Sequence, residues 1–317
     1  MTEPTPAELL RRMLRIRAFE EKVSELYARG KVAGLLHLGI GQEAVAVGVM
    51  SVLRANDAVV GGHRAHAHAL ATGADPVRLM AEIAGRSGGY AGGKGGSMHL
   101  VATDSGFLTA TGVVGGNIPL ALGAAFASTY AGSDAVAVVF FGDGAGQTGP
   151  FHESLNLASL WSLPVVFVCE NNGYAEFTPL SSHTKVERLS AYAATYGMPA
   201  ATIDGNDIDA VRTAAADAVA RARSGGGPTF VEALTYRLRG HYEGDPAKYR
   251  ELSELADWKA KDPIERLRTA LASSGAVDEA TAVRIEADER AAIEEAATKA
   301  LASPPPDPGE LVTRVYA

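Results

Sequence analysis

Two apolar, β-branched runs, residues 135–141 and 164–169, each end in a short polar string carrying glycine, and this pairing limits the available folds most. Uninterrupted runs of this kind suit strands buried on both faces of a parallel sheet. Between them Phe151, Leu155, Leu157, Ala158 and Trp161 recur at helical spacing over residues 151–161. A strand, a helix and a second parallel strand need a right-handed crossover, so both strands finish on one sheet edge. The first delivers Gly142, Asp143 and Gly144 there; the second delivers Glu170, Asn171, Asn172, Gly173 and Tyr174. Each string alone reads as a common turn. Together they bring a carboxylate and a carboxamide, hard oxygen ligands, to the usual ligand crevice of a parallel sheet. The reading they support is a magnesium–diphosphate site.

A competing reading uses the same residues. Gly144, Gly146 and Gly149 spell GxGxxG after a strand, and Glu170 follows near the end of the next. That is the dinucleotide fingerprint with its ribose-binding acid, and it makes an NAD-dependent oxidoreductase the alternative. Against it, Asp143 would set a negative charge beside a pyrophosphate with no cation between them. Pro150 and the Asn171–Asn172 pair would also be left without a purpose.

The remaining composition narrows the class. The chain has 317 residues, 47% of them hydrophobic, and a formal net charge of -8. This suits an α/β globular protein and gives no sign of nucleic-acid or anionic-membrane binding. The single cysteine, Cys169, sits inside an apolar run and is expected in the core, with no disulfide framework. The first residues lack the apolar stretch of a secretion signal, and no run reaches membrane-spanning length, so the expected setting is the cytoplasm.

In chain order, residues 6–29 read as an amphipathic helix capped by Gly30, and residues 44–53 as a small-residue helix. Residues 58–62 form a short strand that runs into His63, Arg64, His66 and His68. The histidine spacing suits no single helical face, so zinc is weakly supported, and Arg64 is the better candidate because a guanidinium matches phosphate oxygens. Residues 85–99 are dense in glycine: either flexible linker or backbone folded around a ligand, with the second slightly favoured. Residues 119–130 read as a helix, 201–203 as a strand, 209–223 as a helix and 229–238 as a strand. The loop from Arg239 to Pro246 is a natural place for a catalytic side chain. Residues 251–301 are charged and helical, and a tail begins near Pro304. The expected organisation is one α/β domain over residues 1–317, with an N-terminal helix (1–30) and a C-terminal helical extension (250–317).

The motifs HLGIGQEAVAVG, GHRAHAH, GRSGGYAGGKGGSMH, TGVVGGNIPLALGAA, GDGAGQTGPFHESLNLA, LPVVFVCENNGY and YRLRGHYEGDP occur in this order. In them the chain resembles the α subunit of the heterotetrameric thiamine-diphosphate-dependent 2-oxo-acid dehydrogenases. The EFTP after NNGYA and the HYEGDPAKYR loop look most like the acetoin dehydrogenase branch. The resemblance implies thiamine diphosphate and Mg2+ as cofactors. It implies Asp143, Asn172 and the Tyr174 carbonyl as metal ligands, with Gly142, Gly144 and Ala145 lining the diphosphate and Arg64 binding it. Gly112 and Val114 would meet the aminopyrimidine through their backbone. His63 stands beside Arg64 where the pyruvate enzymes have tyrosine, and joins the cofactor-binding set. His241 would lie beside the diphosphate and the reacting carbon, and His37 on the substrate side, as the catalytic pair. Glu170 becomes a structural acid, which weakens the NAD reading. The run after GDG departs from the family at Gly146, which implies an altered helix start. Tyr242 replaces a serine that is regulatory in mitochondrial pyruvate enzymes. The implied partners are a separate β subunit, in an α2β2 heterotetramer, and a lipoyl-bearing acyltransferase; the implied substrate is acetoin or a pyruvate-like 2-oxo acid.

Overall fold

In a computed structural model, residues 3–312 are described. Six strands form one sheet: β1 (Ala58–Gly61), β2 (Phe107–Ala110), β3 (Ala137–Gly142), β4 (Val165–Asn171), β7 (Ala200–Asp204) and β8 (Thr229–Leu234). Two further strands, β5 (Tyr174–Ala175) and β6 (Thr178–Pro179), make a small antiparallel hairpin. The sheet order is β2-β1-β3-β4-β8-β7, and every pair in it is parallel. From β1 the chain first goes outward to β2 and then returns to place β3 on the other side. The order therefore reverses beside β1, and a crevice opens at the carboxyl ends of β1 and β3. The mostly parallel α/β sheet expected from the two apolar runs is the one observed.

Alternation along β3 divides the core. Val138 and Phe140 face one apolar cluster, with Val166, Val168 and Val231. Ala137, Val139 and Phe141 face the other, with Val165, Phe167, Cys169 and Phe230. On the first face pack α1 (Pro6–Ala28), α2 (Glu43–Met50), α3 (His66–Ala71), α4 (Pro76–Ile83) and, further along the chain, α9 (Ile208–Arg223). The second face is covered by α5 (Asn117–Tyr130), α6 (Gly149–Leu160) and α8 (Ser190–Thr195), with α7 (Leu180–His183) close by.

Helix starts follow from their capping residues. Thr5 Oγ1 accepts from the N–H of Glu8, and Asp75 Oδ1 from that of Val77, each followed by proline in the first turn. The charged C-terminal stretch is three helices, α10 (Leu252–Lys259), α11 (Pro263–Ser274) and α12 (Glu279–Ala302). Asp262-Pro263 and the left-handed Gly275 set the boundaries of α11. Arg11 and Arg15 of α1 both reach Glu289 of α12, at 2.8 and 2.7 Å, so the first and last long helices are clamped together. Residues 313–317 of the expected C-terminal extension, and residues 1–2, lie outside the described residues.

Several elements differ from expectation. The strand expected over 229–238 ends at Leu234, because Thr235 turns its hydroxyl to Asn206 and Leu238 donates its N–H to Ile40 O. Backbone pairing continues, but with the loop that carries His37. The helix expected over 44–53 stops at Met50, and β2 was not anticipated at all. Its four residues, FLTA, are too few to show a period. No helix among the described residues is long and apolar enough to cross a membrane.

Candidate active site

The crevice at the β1–β3 edge contains a cavity of about 690 Å³, lined by residues from both glycine strings and from the histidine segments. That volume suits a cofactor-sized ligand. Asp143 opens a 3-10 turn, Asp143–Gln147, directly after β3. Its side chain is fully buried, and neither carboxylate oxygen has a hydrogen-bond partner. A buried carboxylate left without a donor is costly unless something else neutralises it. Across from it Asn172 accepts from the Tyr174 N–H at 3.3 Å and donates to Gln42 Oε1 at 3.3 Å. Gly173 makes that turn possible with φ +82. At Gly144 a Cβ would lie 2.9 Å from Ala175 Cβ, so the two strings approach as closely as their backbones allow.

The two asparagines have separate tasks. Asn171 donates to Glu232 Oε1 at 2.7 Å, and Glu232 also collects the N–H groups of Leu189 and Ser190. Asn171 is therefore part of the scaffold, and only Asn172 lines the cavity.

Arg64 leaves the end of β1 and is buried. Its guanidinium donates to two backbone carbonyls, Leu38 O and His241 O. Burial, and next the charge of Arg237, push its pKa down to about 9, with Glu20 and Glu170 pulling the other way. No carboxylate forms an ion pair with it, so a buried positive charge faces the cavity. Arg237 is buried as well. Desolvation lowers its pKa, and it donates to His241 Nδ1 at 2.7 Å and to Glu176 O at 2.9 Å. Two buried guanidiniums at one cavity are the electrostatic complement of a polyanion.

His37, His63 and His241 gather over these guanidiniums, with ring centroids 4.7, 4.9 and 5.5 Å apart. Their ring nitrogens lie within 4.8 Å of one another. Burial, and then Arg64, lower His37 and His241 to about 3, and lower His63 as well. All three are thus neutral near pH 7. Three neutral imidazoles could ligate a metal, but the two guanidiniums beside them oppose a cation there. The histidines grouped by sequence spacing separate instead. His66 bridges Glu20 and Ser97, at 2.8 Å each, and His68 stacks on Phe140 with Nε2 3.2 Å from Glu170 Oε2.

The loop bearing His241 is closed by Asp245, which accepts from His241 N–H at 2.6 Å, Ala247 N–H at 2.8 Å and Tyr249 OH at 2.7 Å. Burial works against its charged form, but these donors hold its carboxyl below the ordinary range. Gly112 and Val114 supply the opposite wall, and Val114 is exposed at its rim. The glycine-dense segment is not a flexible linker. It folds over the buried Glu82, whose carboxylate accepts from Ala91, Gly93 and Gly95 N–H at 2.7, 2.9 and 2.6 Å. This presents Met98 and His99 to the cavity.

The dinucleotide reading loses its support in this geometry. Gly144 and Gly146 lie in the 3-10 turn, not in the first turn of a helix, and α6 starts only at Gly149. Gly146 is held by packing: a Cβ there would meet Leu189 Cδ2 at 2.0 Å. Glu170 lies at the cavity wall with Oε2 3.2 Å from His68 Nε2.

The model of the dehydrogenase E1 component family matches residues 11–309. The chain belongs to that family. It is 44% identical to the α subunit of acetoin:2,6-dichlorophenolindophenol oxidoreductase of Bacillus subtilis, over all of this chain and 95% of that one. The subunit of the same name from Cupriavidus necator is 42% identical with the same coverage. The pyruvate dehydrogenase E1 component α subunit of Zymomonas mobilis is 44% identical over 97% of this chain and 87% of its own. The chain is an oxidoreductase of the E1 α-subunit family, and nothing in these relatives favours the NAD alternative.

Two residues of the site carry no sequence signal of their own. Arg237 ends an apolar run and looks like a strand-terminal charge. Gln42 lies in a glycine-rich turn, 130 residues from the Asn172 it touches.

Proposed function

We propose that this chain is the diphosphate-holding α subunit of a thiamine-diphosphate- and magnesium-dependent dehydrogenase that cleaves acetoin. The observation that carries the reading is Asp143, a fully buried carboxylate with two unpartnered oxygens, beside a cavity that also holds a buried Arg64 with no ion-pair partner. A divalent cation held together with a polyanion would satisfy both at once. Asp143, Asn172 Oδ1 and the Tyr174 carbonyl would hold the metal. Gly142, Gly144 and Ala145 would leave room for the phosphates, with Arg64 and His63 against them. Gly112 and Val114 would meet the aminopyrimidine through backbone groups.

Thiamine diphosphate, when bound, supplies the electron sink that carbon–carbon cleavage next to a carbonyl requires. The chain's own residues do the rest. Arg64 and the metal ligands orient the diphosphate end. His241 and His37, both neutral, present N–H groups and lone pairs to a substrate oxygen and can hold or move a proton there. Phe177 and Tyr242 pack their rings near His241 and support its position.

The site needs a second polypeptide. An exposed apolar stripe runs from Val113 and Val114 at the cavity rim along α5 through Leu120, Phe126 and Tyr130 to Leu160 and Trp161 at the end of α6. It supports a separate β subunit, in an α2β2 assembly, that brings the carboxylic acid for the aminopyrimidine ring. A lipoyl-bearing acyltransferase would accept the acyl group, and the cytoplasm is the proposed setting.

A second reading, pyruvate-like 2-oxo acids as substrate, is favoured by the equal identity to the Zymomonas mobilis subunit. His63, beside Arg64, is the feature of the site that favours acetoin. The test is a substrate panel with an artificial electron acceptor, run on the chain with its candidate β subunit at saturating thiamine diphosphate and Mg2+. Acetoin turnover exceeding that of every 2-oxo acid is expected. Turnover of neither class would overturn the assignment, and preference for pyruvate would move it to the second reading.

A further inference from the structure

The chain that supplies Asn172 and Tyr174 doubles back through the β5–β6 hairpin and returns to the site as α7. The return is fixed locally. Leu180 N–H donates to Gly173 O at 2.8 Å, Thr184 N–H to Leu180 O at 3.1 Å, and Thr184 Oγ1 bonds to the Tyr192 hydroxyl at 3.1 Å. This holds His183, the last residue of α7, against the Asp143 turn. His183 Nε2 lies 3.6 Å from Asp143 Oδ2, and its side chain is 14% exposed. Neither of its ring nitrogens has a hydrogen-bond partner, and neither has either oxygen of Asp143. The two residues thus present complementary unsatisfied groups, a ring N–H and a carboxylate, slightly too far apart to bond.

His183 does not line the cavity, whereas Asp143 does. It stands behind the carboxylate, not in front of it. A closure of roughly 0.6 Å would give an ordinary N–H···O bond. A carboxylate that ligates a metal is commonly held by an outer hydrogen bond that fixes which oxygen faces the ion.

We infer that His183 is the positioning residue for Asp143: it donates to Oδ2 and leaves Oδ1 to the cation. No protonation change is needed, since a neutral imidazole carries one N–H. The inference rests on the proposed magnesium–diphosphate function and adds the residue that orients the key ligand. Pro179, at the N-cap of α7, and the Gly173 turn then serve to place one imidazole.

The test is a magnesium titration of thiamine diphosphate binding, by calorimetry, on the full chain purified with its partner subunit. His183→Ala and His183→Phe remove the donor, the second while filling the space; His183→Gln retains an N–H at similar reach. Alanine and phenylalanine should raise the half-saturating Mg2+ about 10- to 100-fold. Glutamine should stay within about threefold of wild type, and metal-free thermal stability should differ little between glutamine and phenylalanine. Wild-type magnesium dependence in folded His183→Phe would overturn the inference. So would glutamine behaving as phenylalanine does, which would mark a packing role. Should alanine fail to fold, the glutamine–phenylalanine comparison decides. A wild-type complex that binds no thiamine diphosphate at any Mg2+ concentration would overturn the proposed function first and this inference with it, which separates the two failures.

Discussion

Arg237 Nη1 donates to Nδ1 of His241 at 2.7 Å. An arginine has donors only, so His241 must offer a lone pair at Nδ1 and carry its proton on Nε2. The pair therefore sets the tautomer of the histidine proposed to meet the substrate, and sets it as a donor. Substituting Arg237 by methionine, close in length but without donors, should free the tautomer and lower kcat by about 10- to 1,000-fold, with a smaller change in KM. The Tyr249 and Glu176 contacts of Arg237 also go, so steady-state kinetics should be paired with thermal melts. Unchanged kcat in a folded variant would dismiss the tautomer role.

Asp143→Ala should abolish magnesium-dependent binding of thiamine diphosphate, whereas Asn172→Ala should weaken it. The first would remove the charge proposed to balance the cation; the second would remove one proposed neutral ligand. In the metal-free state Asp143→Ala should be as stable as wild type or more so, because it deletes a buried charge that has no partner. Calorimetry and thermal melts together read both effects, and retained binding by Asp143→Ala would remove Asp143 from the metal site.

Acid sensitivity follows from the histidine cluster. His37 and His241 have folded pKa values lowered to about 3 by burial and the neighbouring guanidinium of Arg64. Between about pH 6.5 and pH 3 the unfolded chain binds these protons and the folded chain does not. Folding stability should therefore drop as pH falls through that window and be insensitive to these groups above it. His37→Asn and His241→Asn should each flatten the slope, as measured by denaturant midpoints from pH 7 to pH 4. An unchanged slope in both would mean the pair is not held neutral.

Glu82→Ala should unfold the glycine segment locally. Three backbone N–H groups would lose their shared acceptor, at a cost on the order of 3 kcal/mol. Hydrogen exchange at Ala91, Gly93 and Gly95 should accelerate selectively. Uniform protection in the variant would show that the loop is held by something other than this carboxylate.

Phe126→Asp and Leu120→Asp, both on the exposed face of α5, should leave the isolated chain folded but block assembly with its β subunit. Size-exclusion chromatography with light scattering reads this directly. Normal assembly of the double variant would place the partner elsewhere.

The sheet was legible because its central strands are buried on both faces: residues 137–142 and 165–171 have no choice but a β-branched, uninterrupted run. Their carboxyl-terminal strings then share an edge, which is why the sequence alone pairs Asp143 with Asn172. Contacts distant in sequence are not legible in periodicity or spacing, and only the resemblance brings His37 and His241 to one site. His37 and His241 meet only because residues 236–238 cross the loop at Ile40, and Gly41 makes room: at φ +101, a Cβ there would lie 2.5 Å from Tyr236 O. Glycine density after residue 85 could not reveal that the wrapped anion is the chain's own Glu82. His183 carried no signal either, since its partner lies 40 residues back and one short hairpin decides whether they meet.

One carboxylate in the first helix bears on all of this. Glu20 Oε1 accepts the Gly39 N–H at 2.8 Å, Glu20 Oε2 engages His66 Nδ1 at 2.8 Å, and His66 passes on to Ser97. Those three segments carry His37, Arg64 with His63, and His99. The spacing between the walls of the cavity is thus gauged from a point on α1 that never touches it. Fusing a domain to this end is harmless only while α1 stays seated. A change that tilts α1 would alter substrate fit without altering any residue in the cavity, and would register as a specificity defect from outside the site.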